Sequence, residues 1–364
     1  MKISVVIECL ENFAPLSLQE DYDNAGLIVG NKQDECTGII TALDVTEKVV
    51  QEAVSKKCNL IVAHHPIIFK GLKRLNGANY VERTVISAIK NNIAVYAIHT
   101  NLDNVIAGVN KQIAEKLGLQ NLQVLEPKEK ILKKMVTFSP KGNADAVRNA
   151  LFKSGGKLGN YSECSFNTEG VGTFKAEPGA HPYIGDIRKR HEENETRIEV
   201  IFPAHLQKQI VASLKAAHPY EEVAYDIYPL DTNLTDFGSG LFGDLPKPLS
   251  EKKLLLVLKT AFKLQTIRHS PFLKNKISRI AVCGGAGSFL ISQAKASGAQ
   301  AFITSDIKYH EFFDADSEIL MADIGHFESE QYTIALLADI LTEKFPNFAV
   351  LKTKINTNPV NYYI

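Results

Sequence analysis

"LIVAHHPIIFK" (residues 60–70) opens as an unbroken apolar run and stops on two histidines and a proline. A strand that is apolar on both faces belongs inside a sheet covered on both sides. Its neighbours have the same character. "GIITALDV" (38–45) is β-branched and apolar, and "TEKVVQEAVSKK" (46–57) follows with Thr46 at a capping position and helical spacing behind it. Helix 78–92, strand "IAVYAIHT" (93–100) and helix 105–118, closed by Gly118, continue the series. This alternation predicts an α/β fold with mainly parallel sheets covered by helices.

The pattern changes after "LEPKEK" (125–130). Strand 133–140 is followed by helix 143–155 with Asn143 at its cap, strands 161–167, 171–178 and 196–203, helix 204–217 and strand 223–230. That β-α-β-β-(β)-α-β order predicts a ferredoxin-like α+β insert over 128–235. From "FGSGLFGDLP" (237–246) the α/β pattern resumes with helix 250–264, strand 277–283, the glycine turn "GGAGS" (284–288) and helix 289–298. Strands 301–306 and 318–325 and helix 326–345 complete it. Segments 1–127 and 236–364 are expected to form one α/β structure around the insert.

Forty-one basic and 41 acidic residues cancel, so no steering field for nucleic acid or another polyanion exists. The five cysteines (Cys9, Cys36, Cys58, Cys164, Cys283) are scattered with no CxxC pair, which points to a reducing compartment and away from a disulfide framework or a thiolate metal site. "MKISVVIECLENFAP" carries Glu8 and Glu11 in its apolar stretch and is a poor signal peptide, and no segment has the length of a membrane span. A cytoplasmic location is expected.

Three strands end in metal-ligand chemistry. His64 and His65 close the first, "HTNLD" (99–103) delivers His99 and Asp103 after the second, and "DIGHFESE" (323–330) sets His326 and Glu330 four residues apart on one helix face. In open parallel sheets ligands gather outside the carboxyl ends of the strands. His64, His65, Asp103, His326 and Glu330 are therefore expected at one edge. Consecutive strand residues point to opposite faces. Pro66 cannot donate to a ladder, and so frees each imidazole of the doublet to reach a different ion. Three imidazoles and two carboxylates suit two divalent ions, zinc first and iron or manganese next, rather than calcium. Five side chains cannot close two tetrahedral shells. A bridging carboxylate and open positions for water follow, as in catalytic sites.

With those residues in place, the blocks "IVAHHPIIF", "AIHTNLD", "GSGLFGDL", "ITSDIKYHEFF" and "ADIGHFESE" resemble the signature set of the Nif-three-like dinuclear-metal family, also named the GTP cyclohydrolase I type 2 homolog family. The insert, with "AHPYEEVAYDIYPL" (217–230), resembles the PII/CutA-like domain of the longer bacterial members. The resemblance implies a homohexameric toroid, built as a trimer of dimers or as stacked trimers, with insert trimers capping its openings and a two-metal site facing the cavity. It implies the same five ligands, and it places Asp23 and Asn24 of "DYDNAG" (21–26) at the substrate pocket, although a plain turn explains that stretch as well. Asp306 and Lys308 are further pocket candidates. Ser305 stands where many relatives carry glycine, one small residue for another.

His99 and His310 are the candidate general acid–bases or orienting groups, and a structural hydrogen-bonded histidine explains either equally well. "CGGAGS" reads as a turn rather than a phosphate loop, having neither GxGxxG nor a following lysine. His218 and Glu221 of "AHPYEE" read as a helix stop and trimer contact rather than as ligands. Two functions fit. One is a metal-dependent hydrolase acting through a metal-bound hydroxide on a small molecule, with the family name pointing to a GTP-like nucleotide. No basic cluster adjoins the motifs to anchor a triphosphate beyond the ions, Lys308 and Lys70. The other is a non-enzymatic metal-binding, regulatory or metal-handling assembly. Open water positions beside a substrate-sized pocket distinguish the first from the second.

Overall fold

The computed structural model describes residues 1–155, 157–158, 161–232 and 236–363, with residues 157 and 158 described by backbone alone. The chain divides into two compact units, Met1–Pro127 with Thr235–Ile364, and Lys128–Leu234. Among the described residues no helix is long and apolar enough to cross a membrane.

The first unit carries two sheets among its described residues. One runs, in spatial order, Gly26–Val29, Ala94–Ala97, Leu60–Ala63, Ile39–Ala42, Val350–Lys352. Its inner strands are parallel, with Ala42 level with Ala63 and Ala63 with Ala97, and every residue in them is buried. Helices Glu47–Ser55 and Tyr80–Lys90 cover one face. The Thr46 hydroxyl accepts from Val49 N and the Asn79 side chain from Glu82 N, satisfying first-turn donors that would otherwise be orphaned. Val49, Val50, Ala53, Val85 and Ala88 then pack on Ile40, Ile61 and Val95. On the other face helix Thr333–Lys344 meets the sheet, where Thr41 Oγ1 donates to the Ile334 carbonyl (2.9 Å). The first residues form helix Ile3–Phe13, burying Ile3, Val6, Ile7 and Leu10 at helical spacing.

The second sheet runs Arg268–His269, Leu320–Asp323, Ala301–Ser305, Lys276–Ala286, Gly238–Ser250, Gln120–Pro127. Only its central trio is parallel; the flanking strands are antiparallel. The expectation of mainly parallel sheets thus holds for the first sheet and is corrected for the second, where "FGSGLFGDLP" itself is an antiparallel strand. Gly238 pairs with Pro127, so the chain leaves and re-enters this unit at neighbouring positions of one ladder.

Two predicted helices are shorter than their periodicity. Helix 105–118 begins at Val109, because Val105 is drawn into a β-bridge with Phe237. It ends as expected on Gly118 at φ 67°. Helix 326–345 divides into His326–Glu330 and Thr333–Lys344. The step lies at Tyr332, whose ring packs on Phe262 and whose hydroxyl donates to the Ala261 carbonyl (3.1 Å), in a different core from the helix that follows.

The second unit orders its main elements as strand Leu132–Pro140, helix Ala144–Lys153, strands Phe166–Lys175 and Arg190–Pro203, helix Gln207–Ala217 and strand Tyr225–Leu230. In space the strands lie Tyr225–Leu230, Leu132–Pro140, Arg190–Pro203, Phe166–Lys175, all antiparallel. Met135, Ile198, Val200 and Phe202 form a core with Val147, Leu151, Ile210 and Leu214 of the helices. The separate strands expected at 161–167 and 171–178 are chiefly the one strand Phe166–Lys175. Its partner begins six residues before the expected 196, since "RHEENE" (190–195) lies on exposed sheet and has no apolar alternation to betray it.

Candidate metal centre

Parallel register levels the carboxyl ends of the inner strands, and the residues just past those ends converge. His64 N and His65 N donate to the Ala42 and Leu43 carbonyls (3.2 and 2.9 Å), holding the doublet's backbone beside the neighbouring strand. The two rings nevertheless share one side, with centroids 4.9 Å apart. His99 joins them at 5.2 and 5.3 Å, and His326 stands 5.2 Å from His65.

Each imidazole is turned the same way. Nδ1 donates outward, from His64 to the Ile98 carbonyl (2.9 Å), His65 to Asp44 (2.8 Å), His99 to Asp23 (2.8 Å) and His326 to Asp306 (2.6 Å). Such bonds fix the tautomer and leave Nε2 as a lone pair facing the interior. Inside, His65 Nε2 and His326 Nε2 lie 3.3 Å apart, and Glu330 Oε2 lies 3.0 and 3.1 Å from them. His64 Nε2 is 3.6 Å from Asp103 Oδ1 and 3.8 Å from Glu330 Oε1. His64 Nε2, Asp103 Oδ1 and Glu330 Oε2 are buried without a hydrogen bond of good geometry. Neutral imidazoles would turn only acceptors towards these carboxylates, and burial makes that costly unless positive charge, as protons on the imidazoles or as a cation, enters.

Without an ion, protons on the imidazoles meet that demand. Burial alone would push His65 and His326 down, but their carboxylate partners outweigh it and hold them up at about 9 and about 11. Burial and the Glu330 charge push Asp103 up to about 7. Burial acts to raise Glu330 too, yet the imidazoles of His326, His64 and His65 keep it well below the ordinary carboxylate range. The Asp23 carboxylate is buried, and bonds from His99 and Thr100 overcome that burial to hold it at about 2.

Two groups of described residues could each hold a cation: His65, His326 and Glu330, and His64, His65 and His99. Donors around one tetrahedral ion, each about 2.0–2.1 Å from it, stand about 3.3 Å from one another. The His65, His326 and Glu330 atoms are spaced at that edge length. Glu330 turns one oxygen to His65 and His326 and the other to His64, as a bridging carboxylate would. Before these donors opens a cavity of about 740 Å³.

Glu330 owes its place to Gly285. A Cβ there would lie 2.3 Å from Glu330 Oε1, and φ is 63°, a conformation natural to glycine. The turn that reads as plain punctuation is a seat for the carboxylate. Asp44, overlooked in the sequence, lies two residues beyond Ala42 as His65 lies two beyond Ala63, and these two are level. An acidic residue at that offset on the adjoining strand was the available signal. Asp23 stands behind His99 rather than on the cavity wall, with its second oxygen bound to Thr100 N and Oγ1 (3.0 and 2.5 Å). Asn24 donates to the Ile68 carbonyl (2.6 Å), tying down the loop after the doublet.

His310 and Lys308 are not brought to this cavity. His310 lies among Tyr309 and Phe313, and exposed Lys308 pairs with Glu311 at 3.5 Å. The strand Ala301–Ser305 ends before them; only Asp306, at φ 54°, turns back to His326. In the second unit His218 is spent on structure, its Nε2 donating to the Phe138 carbonyl (2.8 Å) and its Nδ1 accepting from Tyr220 N (3.1 Å).

The chain matches the family model Duf34/NIF3 (NGG1p interacting factor 3) over residues 1–359. It is 36% identical over 371 residues to the GTP cyclohydrolase 1 type 2 homolog of Halalkalibacterium halodurans, covering all of both chains. It is 34% identical over 363 residues to the protein of that name from Bacillus subtilis, covering 98% of this chain and 97% of that one. The crystal structure of a Bacillus cereus protein related to NIF3 superposes with a TM-score of 0.87 at 36% identity, covering 100% of this chain and 99% of the other.

Proposed function

The chain belongs to the Duf34/NIF3 family, and on that premise we propose that it binds two divalent metal ions and uses them to hydrolyse a small molecule, with a nucleotide as the substrate class its relatives' name favours. His64, Asp103 and one oxygen of Glu330 would hold the first ion. His65, His326 and the other oxygen would hold the second, zinc being the best match to this donor set, with iron or manganese also suited to it. Bound there, the pair would polarise a substrate oxygen and acidify water.

The chain's own groups supply the rest. Asp44 and Asp306 orient His65 and His326, and the Ile98 carbonyl orients His64. His99, with Nδ1 committed to Asp23, keeps Nε2 for the cavity and is the group to hold or move a proton there. His310 has no such access. Arg268 also lines the cavity, but it is bound to Asp323 and the Ile307 carbonyl, and suits a single anionic group better than a triphosphate.

The observation that carries this reading is the convergence of imidazole Nε2 and carboxylate atoms at the spacing of a tetrahedral edge on the cavity floor. The cavity itself favours catalysis over metal storage. We read the second unit, from its β-α-β-β-α-β order and its strand order, as a ferredoxin-like module of PII/CutA type, and carry the homohexamer as part of the same proposal. The test is metal analysis of freshly purified protein, followed by an unbiased metabolite screen of wild type against Glu330→Gln. A product formed only by the wild type is expected. Protein that takes up no ion, or two ions with no turnover of any metabolite, would overturn respectively the metal site or the hydrolase.

A further inference from the structure

After the strand Val350–Lys352 the chain runs on to the cavity, where Asn358, Pro359, Val360 and Tyr362 form one wall. The segment is moored at its start. The Thr353 hydroxyl donates to Glu52, Lys354 N donates to the same carboxylate (3.0 Å), Thr353 N donates to the Thr41 carbonyl (2.9 Å), and Ile355 packs on the core of the first sheet. Beyond the mooring it touches both sides of the metal centre. Thr357 Oγ1 donates to Asp44 Oδ2 (2.6 Å), whose other oxygen holds His65 Nδ1. The next residue, Asn358, donates through Nδ2 to Glu328 (3.1 Å) in the short helix that carries His326 and Glu330.

We infer that this segment is a positioning strap for the ion held by His65, His326 and Glu330, acting through Thr357 on Asp44 and through Asn358 on the His326–Glu330 helix. The inference rests on the two-ion reading above. A carboxylate free to rotate would present His65 in several orientations. With both oxygens engaged, Asp44 keeps one rotamer and so one direction for Nε2. The His64 side receives no bond from the strap, since its Nδ1 rests on a backbone carbonyl. Through Thr357 and Asp44 the strap therefore acts on one ion and leaves the other alone, whereas its Asn358 arm holds the helix that also carries Glu330.

The experiment titrates zinc against a chromophoric chelator in the full chain, and records cobalt(II) absorption as a measure of coordination geometry. Wild type should take two ions. Thr357→Val should weaken one of them about tenfold, the low end for outer-shell partners, and shift the cobalt spectrum. Thr357→Ser should restore both, and Asn358→Ala, which loosens the helix carrying His326 and Glu330, should weaken the same ion most. In a His326→Ala background Thr357→Val should leave the remaining ion unchanged. Two ions held as tightly by Thr357→Val as by wild type would overturn the strap while leaving the metal site standing. So would equal weakening of both ions that serine does not rescue. A wild type that binds no ion would sink the two-ion reading and the strap with it.

Discussion

On the first-sheet side of the basin, His64 is wholly buried and its Nδ1 hydrogen rests on a backbone carbonyl. On the second-sheet side, the His326 side chain is 38% exposed and leans on Asp306, which is itself 54% exposed. A backbone carbonyl fixed just past a strand end neither rotates nor titrates. A surface carboxylate does both, and it adds charge that raises the basicity of its imidazole. One half of the site is thus set by the fold, and the other by side chains that solvent and pH can reach. The difference teaches where the site is adjustable.

The change with the largest effect erases the comparison, because Glu330 serves both halves. Glu330→Gln should weaken both ions by more than about a hundredfold, beyond what loss of an outer-shell partner costs; metal content after gel filtration reads it. A retained ion would show the halves to be independent.

The pH response of ion-stripped protein sharpens the contrast. Folded His65 and His326, at about 9 and about 11, lie above the ordinary imidazole value of about 6.5. Their stabilisation is complete below that value and is lost as pH rises through 9 towards 11. Asp103, raised to about 7, acts with the same sign at lower pH. With chelator present, the melting temperature should fall between about pH 6.5 and 9.5, and His326→Gln should flatten the upper part of that fall. Asp23 has the opposite sign: its contribution is present above the ordinary carboxylate range and is lost as pH falls towards 2. Ion uptake should strengthen as pH rises, since protons and cations compete for the same nitrogens.

A smaller effect is confined to one half. Asp306→Asn should weaken a single ion about tenfold, by removing the charge behind His326, as a two-step zinc titration would resolve. In folding stability the expected change is small for Gly285→Ala. A strained left-handed alanine costs about 1–2 kcal/mol, visible in urea unfolding of ion-free protein, while the displaced Glu330 should weaken both ions.

The same asymmetry runs through what could be read from sequence. Buried parallel strands announce themselves as continuous apolar runs, so the first sheet's inner strands and the doublet at the end of one of them were legible. The helical pair His326 and Glu330 was legible from spacing alone. Asp44 was hidden, because a lone acid after a strand looks like any turn until the register with the neighbouring strand is known. Gly285 was hidden because its purpose is the room it leaves for a side chain 45 positions later. His310 misled because proximity in sequence to Asp306 says nothing once the chain turns at a left-handed residue. The edge strand Gln120–Pro127 finds its partner, Gly238–Ser250, more than a hundred residues away, a pairing that no local pattern encodes.

That pairing has a consequence for how such a chain can be assembled. Because Pro127 and Gly238 face one another across a ladder, the residues between them can be lengthened, exchanged or removed as a cassette without redirecting a strand of the α/β unit. A lineage can thus acquire or discard the intervening module while the five candidate ligands keep their places in the unit that carries them.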